Sequence, residues 1–314
     1  MNCIFLDSLV PEMKTLLLSQ KPMDIDLFFW DELGPNEKYE KLAVADALMT
    51  ATYKVDDAML NQAPHVKIVQ KVGVGTDNID PAAAAKYGIE VSNVPGGNAN
   101  GVAELTIGLV LDLYHKISLL DRETRAGSWG MWKYRNCSWE MKNRVHGIVG
   151  FGHIGKRVAE LSKAFGTKLV YYNRTKMPAA VEKQYDVVYR ELADLLGEAD
   201  IVSIHLPLSS ETRNLFDAEK LALMKPSAVL INVGRGNVVN EQALYKALTD
   251  GKLYGAGIDV WAEEPVSPDN PLLSLSNVVA TPHVGGGTVD AVLNNFQISF
   301  RKIREKLMAE VRAD

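Results

Sequence analysis

Residues 145–159 read VHGIVGFGHIGKRVA, an apolar run that leads into Gly150-Phe-Gly152-His-Ile-Gly155 and then into a helical pattern. In a strand–turn–helix unit, the first glycine of this spacing permits the tight turn and the second lets the backbone approach a pyrophosphate, while the third lets the helix pack on the strand. The helix N-terminus then presents N–H groups to phosphate oxygens. A helix predicted over 156–165 stops at Gly166, and a strand follows at 168–172. The segment therefore predicts a dinucleotide-binding βαβ unit.

The residues after this second strand indicate which dinucleotide is bound. A unit that binds NAD carries an Asp or Glu here, whose carboxylate holds the 2′-OH of the adenosine ribose. This chain has Asn173-Arg174-Thr175-Lys176 instead. These residues offer hydrogen-bond donors and positive charge, which suit the 2′-phosphate of NADP. We therefore expect NADP as the cofactor, with NAD less favoured; a solvated basic loop is the alternative interpretation of Arg174 and Lys176.

Composition and charge narrow the class of protein. The chain has 314 residues, 47% of them hydrophobic and 23% charged, which is typical of a globular protein of about two domains. The net charge of −5 and the lack of a basic run give no indication of nucleic-acid binding. Cys3 and Cys137 lack metal-ligand spacing, so we expect neither a metal site nor a disulfide framework. Without a signal-like N-terminus or a long apolar window, we expect a cytoplasmic protein that does not enter the membrane.

Short apolar runs alternate with helical patterns along the chain, which is typical of parallel sheets with helices on both faces. We therefore expect an α/β fold of two doubly wound domains. In the first third, the predicted strands are 3–6, 25–29, 47–49, 68–71 and 90–94, and the predicted helices are 12–19, 37–42 and 81–87. Beyond them, the predicted strands are 147–149, 169–172, 201–204, 228–232, 255–260 and 278–281.

Two Gly/Pro-rich segments, 94–97 and 284–287, are predicted to be hinges. After the second hinge, residues 289–309 form one long helical pattern without a new strand, and we expect this helix to return to the first domain. The predicted division is 1–97 with 288–314 as the substrate-binding domain and 98–287 as the dinucleotide-binding domain, with a cleft between them. An apolar helix at 102–114 would begin the second domain.

An aromatic-rich segment at 127–139 contains Trp129, Trp132, Tyr134 and Trp139 and has no clear period. It is interpreted either as an interface loop that reaches a partner subunit or as aromatic packing within one chain. The sequence does not separate these two alternatives.

Side chains at the carboxyl ends of the strands are the candidates for chemistry, because ligands of doubly wound sheets bind outside those ends. Among six histidines, His205 and His283 directly follow predicted strands. Arg235 follows the strand 228–232, and an arginine can hold a carboxylate by two parallel hydrogen bonds. Position alone leaves both histidines open as proton donors.

Acidic side chains follow the next strand, at Asp259, Glu263 and Glu264. An acid beside a histidine orients the imidazole ring, so that the ring can transfer a proton near neutral pH. Arginine, acid and histidine beside a nicotinamide are the groups that reduction of a 2-oxo acid requires. The set therefore points to an oxidoreductase, although each residue alone could be part of a surface ion pair.

Besides the glycine turn, six further motifs stand in order along the chain: GVGTDNID (73–80), NVPGGNANGVAE (93–104), HLPLSSET (205–212), NVGRG (232–236), DVWAEEP (259–265) and TPH (281–283). Through these motifs the chain, from about Ala45 to the final helix, resembles the D-isomer-specific 2-hydroxyacid dehydrogenase family, in its glyoxylate/hydroxypyruvate reductase-like, NADP-type form. The resemblance implies a Rossmann cofactor domain, a flavodoxin-like substrate domain and a homodimer.

The resemblance implies a catalytic role for each matching residue. His283 is the general acid and base, Glu264 pairs with it, and Arg235 holds the substrate carboxylate and carbonyl. The N–H groups of Val74 and Gly75 share the carboxylate. Residues 49–54 are expected to line the pocket for the substrate side chain.

The cofactor positions are spread over several strand ends. His205 becomes part of a cofactor-side loop, in which Leu206, Pro207 and Thr212 flank the adenine, and Asp259 binds the nicotinamide carboxamide. The full predicted set is Gly150, Gly152, His153, Ile154, Gly155, Asn173, Arg174, Thr175, Lys176, Leu206, Pro207, Thr212, Val233, Gly234, Asp259, His283 and Gly285.

The expected reaction is hydride transfer to a small 2-oxo acid, with glyoxylate and hydroxypyruvate as the leading substrates. A phosphite-type dehydrogenase of the same superfamily is one alternative. Formate oxidation is disfavoured, since formate enzymes typically carry Gln where this chain has Glu264. A cofactor-sensing corepressor is the non-enzymatic alternative, and it is disfavoured because we expect no long disordered tails.

Overall fold

The computed structural model describes residues 1–311, which form two compact units: Met1–Asn98 with the stretch from Thr288 onward, and Ala99–Gly287. Each unit is built on one parallel sheet with helices around it. The predicted α/β class of two doubly wound sheets is confirmed.

The first unit contains a five-stranded sheet of short strands, and its three central strands are mostly buried. The five strands are β1 (Asn2–Phe5), β2 (Asp26–Phe29), β3 (Ala47–Thr50), β4 (Ile68–Lys71) and β5 (Glu90–Ser92). All pairs are parallel and the order is β2-β1-β3-β4-β5, which is the flavodoxin-like order. Its first four helices are α1 (Pro11–Gln20), α2 (Pro35–Ala43), α3 (Asp57–Leu60) and α4 (Pro81–Lys86).

Helix starts in this unit follow local chemistry. α1, α2 and α4 begin with proline, whose fixed φ and missing N–H suit the first helical position. Asp80 caps α4 by accepting from the N–H groups of Ala82 and Ala83, and Asp56 caps α3 by accepting from Met59. Each cap satisfies N–H groups that the helix itself leaves unpaired.

The second unit contains a seven-stranded parallel sheet, in the order β12-β11-β10-β9-β6-β7-β8. Its strands are β6 (Val145–Val149), β7 (Lys168–Tyr172), β8 (Val187–Tyr189), β9 (Ile201–Ile204), β10 (Val229–Asn232), β11 (Gly255–Ile258) and β12 (Val278–Ala280). Its helices are α5 (Ala99–His115), α6 (Ile117–Arg125), α7 (His153–Ala164), α8 (Ala179–Tyr185), α9 (Leu192–Glu198), α10 (Ala218–Ala222) and α11 (Glu241–Thr249).

The strand order of this sheet reverses between β6 and β9. From β6 the chain proceeds outward to β7 and β8, and it then returns to the other side for β9 to β12. This is the Rossmann order with one further strand, and its ligand site lies at the carboxyl ends on either side of the reversal. The glycine turn follows β6, and His205 follows β9, so the two flank this switch point.

Helix α5 is buried along much of its length, as its apolar sequence predicted. It packs against α7 and against β10 and β11. A Cβ atom on Gly257 of β11 would lie 2.9 Å from the Cβ of Leu109, so only glycine allows the helix this close to the strand. The predicted range of 102–114 was short by three residues at the N-terminus and one at the C-terminus.

The last helix, α12 (Val289–Val311), belongs to the first unit. It buries Phe296, Phe300, Ile303 and Leu307 in a cluster with side chains of β1, β3 and α1. The apolar stripe of this helix therefore supplies part of the core of the five-stranded sheet.

No range was predicted for β8 or for six helices, which are α3, α6, α8, α9, α10 and α11. β8 has only three residues and pairs with β7 alone, so its apolar signal is short. α6 is nine residues long and has no fully buried residue. In the aromatic segment that follows, Trp139 packs on Tyr254 while Trp129 and Trp132 are 81% and 70% exposed.

Candidate active site

The glycine turn after β6 has the geometry of a phosphate cradle. Gly150 has φ +99°, and a Cβ there would lie 2.9 Å from the carbonyl group of His205. A Cβ on Gly155 would lie 2.2 Å from the carbonyl oxygen of Gly150. A Cβ on Gly152 would meet no atom of residues 1–311 within 4 Å, so the N-terminus of α7 is open at this point. The turn thus fits a pyrophosphate held by the helix N-terminus.

Asn173, at the end of β7, fixes this turn from one side. Its Oδ1 accepts a hydrogen bond of 2.6 Å from the N–H of Phe151, between the first two glycines. The residues after it are exposed, and Arg174 pairs through Nη1 with Oε2 of Glu211 at 2.7 Å. Nζ of Lys176 lies 3.7 Å from Oε1 of Glu182. Where an NAD-binding unit has an acid, this chain thus has the amide of Asn173, which shapes the turn. Two exposed cations, Arg174 and Lys176, follow it.

The loop after β9 closes the other side of the turn. The N–H of His205 donates to the carbonyl of Val149 at 2.8 Å. Thr212 donates through Oγ1 to the carbonyl of Pro207 at 2.7 Å, which holds the loop in a compact shape. A Cβ on Gly234 would lie 2.8 Å from the carbonyl oxygen of Leu206. Leu206, one of the predicted adenine-side residues, is thus packed directly against the residue that follows Val233 at the end of β10.

The imidazole of His205 lies in a buried network. Its Nε2 and the Nε2 of His146 each lie 2.9 Å from Oγ of Ser203, and Nδ1 of His146 lies 2.8 Å from Oγ of Ser162. Burial lowers the pKa of His146 to about 3. Burial, together with the neighbouring His146, lowers the pKa of His205 to about 3. Both rings are therefore neutral at pH 7, which disfavours His205 as the proton donor.

Arg235 stands at the end of β10, where the backbone is shaped by Asn232. The side-chain amide of Asn232 donates to the carbonyl of Arg235 at 3.1 Å and accepts from the N–H of Gly234 at 3.2 Å. The guanidinium of Arg235 donates to the carbonyl of Gly234 at 2.8 Å. The next residue, Gly236, touches the neighbouring loop, since a Cβ there would lie 1.9 Å from the carbonyl carbon of Trp261.

Glu264 and His283 form a hydrogen-bonded pair at the adjacent strand ends. Nδ1 of His283 lies 2.7 Å from Oε2 of Glu264, and the two side chains are 46% and 38% exposed. The other oxygen of Glu264 accepts from the N–H of Trp261 at 3.0 Å. Because β10, β11 and β12 are neighbours, Arg235, Glu264 and His283 follow three adjacent strands. The structure brings these three predicted residues to one edge of the sheet.

Asp259 anchors the loop that carries His283. This carboxylate is 1% exposed and accepts from Oγ1 of Thr281 at 2.7 Å, from the N–H of Val284 at 2.8 Å and from the N–H of Gly285 at 3.0 Å. The N–H of His283 donates to the carbonyl of Asp259 at 2.8 Å. His283 has φ +55°, a left-handed conformation that these bonds hold in place. The sequence assigned Asp259 to the cofactor but did not reveal this positioning role.

Trp261 is a site residue that sequence reasoning missed. Its indole N–H donates to the carbonyl of Thr281 at 3.1 Å, and its backbone N–H holds Glu264. The side chain is 4% exposed. Its position two residues after Asp259 was visible, but nothing in the sequence distinguished it from a core aromatic.

In the first unit, the predicted substrate residues lie after β4. The N–H groups of Val74 and Gly75 have no hydrogen-bond partner within residues 1–311, and the side chain of Val74 is exposed. The neighbouring loop after β3 is held by Asp7, whose carboxylate accepts bonds of 2.6–2.8 Å from the N–H groups of Ala51, Thr52 and Tyr53 and from Oγ1 of Thr52. Asp7 was not identified from the sequence.

No three His, Cys, Asp or Glu side chains in residues 1–311 come together as metal ligands would. Within the same residues, every helix is too short or too polar to span a membrane.

A Rossmann sheet with a phosphate cradle, joined to an Arg–Glu–His set at the strand ends, defines an NAD(P)-dependent oxidoreductase. Residues 107–285 match the family model described as D-isomer specific 2-hydroxyacid dehydrogenase, NAD binding domain. The chain belongs to the D-isomer specific 2-hydroxyacid dehydrogenase family, whose reaction interconverts a 2-oxo acid and a 2-hydroxy acid.

Individual relatives agree with this assignment. The chain is 41% identical over 288 residues to a glyoxylate reductase from Aeropyrum pernix, covering 88% of this chain and 84% of that protein. It is 35% identical over 288 residues to a hydroxypyruvate reductase from Thermotoga maritima, covering 91% of each. A D-lactate dehydrogenase from Aquifex aeolicus, solved with NAD and lactic acid, superposes with a TM-score of 0.83 at 26% identity, covering 99% of this chain and 97% of that one.

Proposed function

We propose that the protein is an NADP-dependent reductase of a small 2-oxo acid, with glyoxylate or hydroxypyruvate as substrate and the D-2-hydroxy acid as product. The observation that carries the proposal is the Glu264–His283 pair, 2.7 Å apart beside the strand end that bears Arg235. The glyoxylate and hydroxypyruvate reductases among the relatives support the choice of substrates.

His283 is assigned as the proton donor for reduction. Its Nδ1 is held by the carboxylate of Glu264, so Nδ1 carries a hydrogen and Nε2 is the atom that exchanges a proton with the substrate oxygen. Nε2 has no hydrogen-bond partner within residues 1–311. Glu264 stabilises the positive charge of the protonated ring and fixes its orientation. Glu264 is itself fixed by Trp261, so the pair is oriented before the substrate binds.

Arg235 is assigned to the substrate carboxylate and carbonyl oxygen, because a guanidinium offers two parallel donors to a carboxylate. The N–H groups of Val74 and Gly75 are assigned to the same carboxylate. In this proposal, the unit that contains Val74 is the substrate-binding domain and the unit of the glycine turn is the cofactor-binding domain. The loop held by Asp7 would select the substrate side chain.

The residues present fit a nicotinamide dinucleotide. A bound cofactor supplies the hydride in reduction and accepts it in oxidation. Gly152 and the N-terminus of α7 would hold the pyrophosphate, and Asn173 keeps that turn in shape. Arg174 and Lys176 carry the preference for NADP, because each is an exposed cation near the end of β7. The guanidinium of Arg174 uses one nitrogen for Glu211 and retains other donors for a 2′-phosphate.

The test is an assay of the purified protein with NADPH and with NADH against glyoxylate, hydroxypyruvate, pyruvate and phosphite, followed by nicotinamide absorbance. Oxidation of NADPH with glyoxylate or hydroxypyruvate is the expected result. A higher kcat/KM with NADH would overturn the choice of cofactor. No turnover with any 2-oxo acid would overturn the proposed reaction, and reduction of NADP by phosphite would favour the alternative enzyme.

We further propose that the protein acts in the cytoplasm as a homodimer. Trp129, Met131 and Trp132 are exposed on one segment, and Ile117 is exposed on α6 just before it. Large apolar side chains of this kind are enriched in interfaces between subunits. The free thiols of Cys3 and Cys137 suit a reducing compartment.

Light scattering after size exclusion tests the dimer. The expected mass is twice the 34.5 kDa of one chain, and replacing Trp129 and Trp132 by Ser should shift it towards a monomer. A monomeric parent protein would rule the dimer out.

A further inference from the structure

The turn after β4 has two consecutive carbonyl groups fixed by the segment that follows β5. The carbonyl of Gly73 accepts a 2.7 Å hydrogen bond from the N–H of Val94. The carbonyl of Val74 accepts a 2.6 Å hydrogen bond from Nδ2 of Asn93. Gly73 has φ +149°, which a residue with a side chain rarely adopts, so glycine lets the chain enter this arrangement.

These two bonds set the direction of the next two N–H groups. In a trans peptide, the carbonyl oxygen and the following N–H point to opposite sides of the bond. Fixing the carbonyl of Gly73 therefore turns the N–H of Val74 away from residues 93 and 94. Fixing the carbonyl of Val74 does the same for the N–H of Gly75. The result is two adjacent donors on one side, and neither has a partner within residues 1–311.

We infer that Asn93 is a positioning residue for substrate carboxylate binding, acting through the Val74–Gly75 peptide. Of the two bonds, only the one from Asn93 comes from a side chain, so it is the one that the sequence at this point controls. The inference rests on the proposed function, in which these N–H groups bind the carboxylate of a 2-oxo acid.

Helix α12 holds the backbone of Asn93 through a hydrogen bond. Nζ of Lys302 donates to the carbonyl of Asn93 at 2.8 Å. The same helix packs on β4, the strand that leads into the turn. A nearby residue of α12, Asn294, donates instead to the carbonyl of Gly97 at 3.0 Å and has no bond to Asn93 or to the turn. Asn294 is therefore a matched control on the same helix.

The test uses Asn93→Ala and Asn93→Asp, with Asn294→Ala as control. Asn93→Asp keeps the shape but places a carboxylate oxygen against the carbonyl of Val74, so it should have the larger effect. Asn93→Ala should raise KM for the 2-oxo acid about ten-fold, the loss expected for one hydrogen bond that orients a charged ligand. The carboxylate is bound in the substrate complex and in the transition state alike. A loss that is equal in both states raises KM and leaves kcat nearly unchanged.

Two further measurements separate positioning from general damage. The inhibition constant of oxamate, a carboxylate that is not reduced, should rise by the same factor as KM. The control Asn294→Ala should have the same KM for NADPH and the same melting temperature as the parent protein. Lys302→Met should raise KM by a smaller factor, about two- to three-fold, because it loosens Asn93 indirectly.

Unchanged KM and oxamate inhibition in Asn93→Asp would overturn the inference while leaving the proposed function intact. An equal loss in the control variant would also overturn it. If the parent protein neither reduces a 2-oxo acid nor binds oxamate, the proposed function fails, and the inference fails with it.

Discussion

Two histidines follow strands of the same sheet, and their surroundings give them opposite chemistry. His205 lies in a buried network with Ser203 and His146, and its pKa is lowered to about 3. His283 is half exposed and bonded to a carboxylate. Burial without an opposite charge disfavours the imidazolium, whereas a carboxylate partner favours it. Position at a strand end therefore does not identify a proton donor; the polar partner and the access to solvent do.

The largest expected effect is the loss of His283. Replacing it by Ala removes the proposed proton donor, and kcat should fall about 10³- to 10⁴-fold. The Kd of NADPH, measured by fluorescence titration, should change little. His205→Gln is the matched variant, and its kcat should stay within about ten-fold of the parent protein. Comparable losses of kcat in the two variants would break the distinction between these histidines.

A smaller loss is expected for Glu264→Gln. The amide can still accept from Nδ1, but it carries no charge to stabilise the protonated ring, so kcat should fall about 10²-fold. Steady-state assays at saturating 2-oxo acid and NADPH measure this loss of kcat. A kcat equal to that of the parent protein would show that the carboxylate only shapes the loop.

The buried histidines should make the protein sensitive to mild acid. Because the pKa of His146 falls to about 3 on folding, the unfolded chain binds more protons below pH 6.5. The contribution of each such group to the free energy of unfolding is thus fully present above about pH 6.5. It is lost as pH falls towards 3, by up to about 1.4 kcal/mol per pH unit. Urea unfolding at pH 7 and pH 5 measures this loss, and His146→Gln should reduce the slope. Equal slopes would argue against a neutral buried ring.

The smallest expected effect concerns the exposed pair of Arg174 and Glu211. These residues follow β7 and β9, which flank β6, so their ion pair spans the end of the strand that carries the glycine turn. Glu211→Gln removes the carboxylate that competes with a 2′-phosphate for Arg174, so the ratio of kcat/KM for NADPH to kcat/KM for NADH should rise. Because exposed ion pairs are weak, the rise should be only about two- to five-fold. Asp186→Asn breaks another exposed pair, that with Lys163, and is the control. A ratio that falls would mean that Glu211 helps Arg174 to bind NADP.

Patterns local to a strand or a turn were predictable from the sequence. Short apolar runs revealed the buried strands, and the spacing of the glycines revealed the turn. The strand-end positions of Arg235 and His283 followed from the ends of those runs. The alternation of strands and helices also predicted the two parallel sheets, because each buried strand is a separate apolar run.

Contacts between distant segments were not predictable in the same way. Asp7 binds residues 51–53, Asn173 binds Phe151, and Asn93 binds Val74. In each case the two partners follow two neighbouring strands of one sheet. A single polar residue in a loop carries no period that would reveal its partner. The structure was also needed to separate Trp139, which packs within its unit, from the exposed Trp129 and Trp132.

Helix α12 has a consequence for the order in which the molecule can fold. Its side chains complete the core under β1 and β3, yet all of the second unit lies between them in the chain. During synthesis the second unit can form as soon as residues 99–287 have emerged, whereas one face of the first unit's sheet has only α1 to cover it until residues 296–307 arrive. The segment made first is thus among the last to become stable, and a chain interrupted before Val289 would expose Phe5 and Met49 to aggregation.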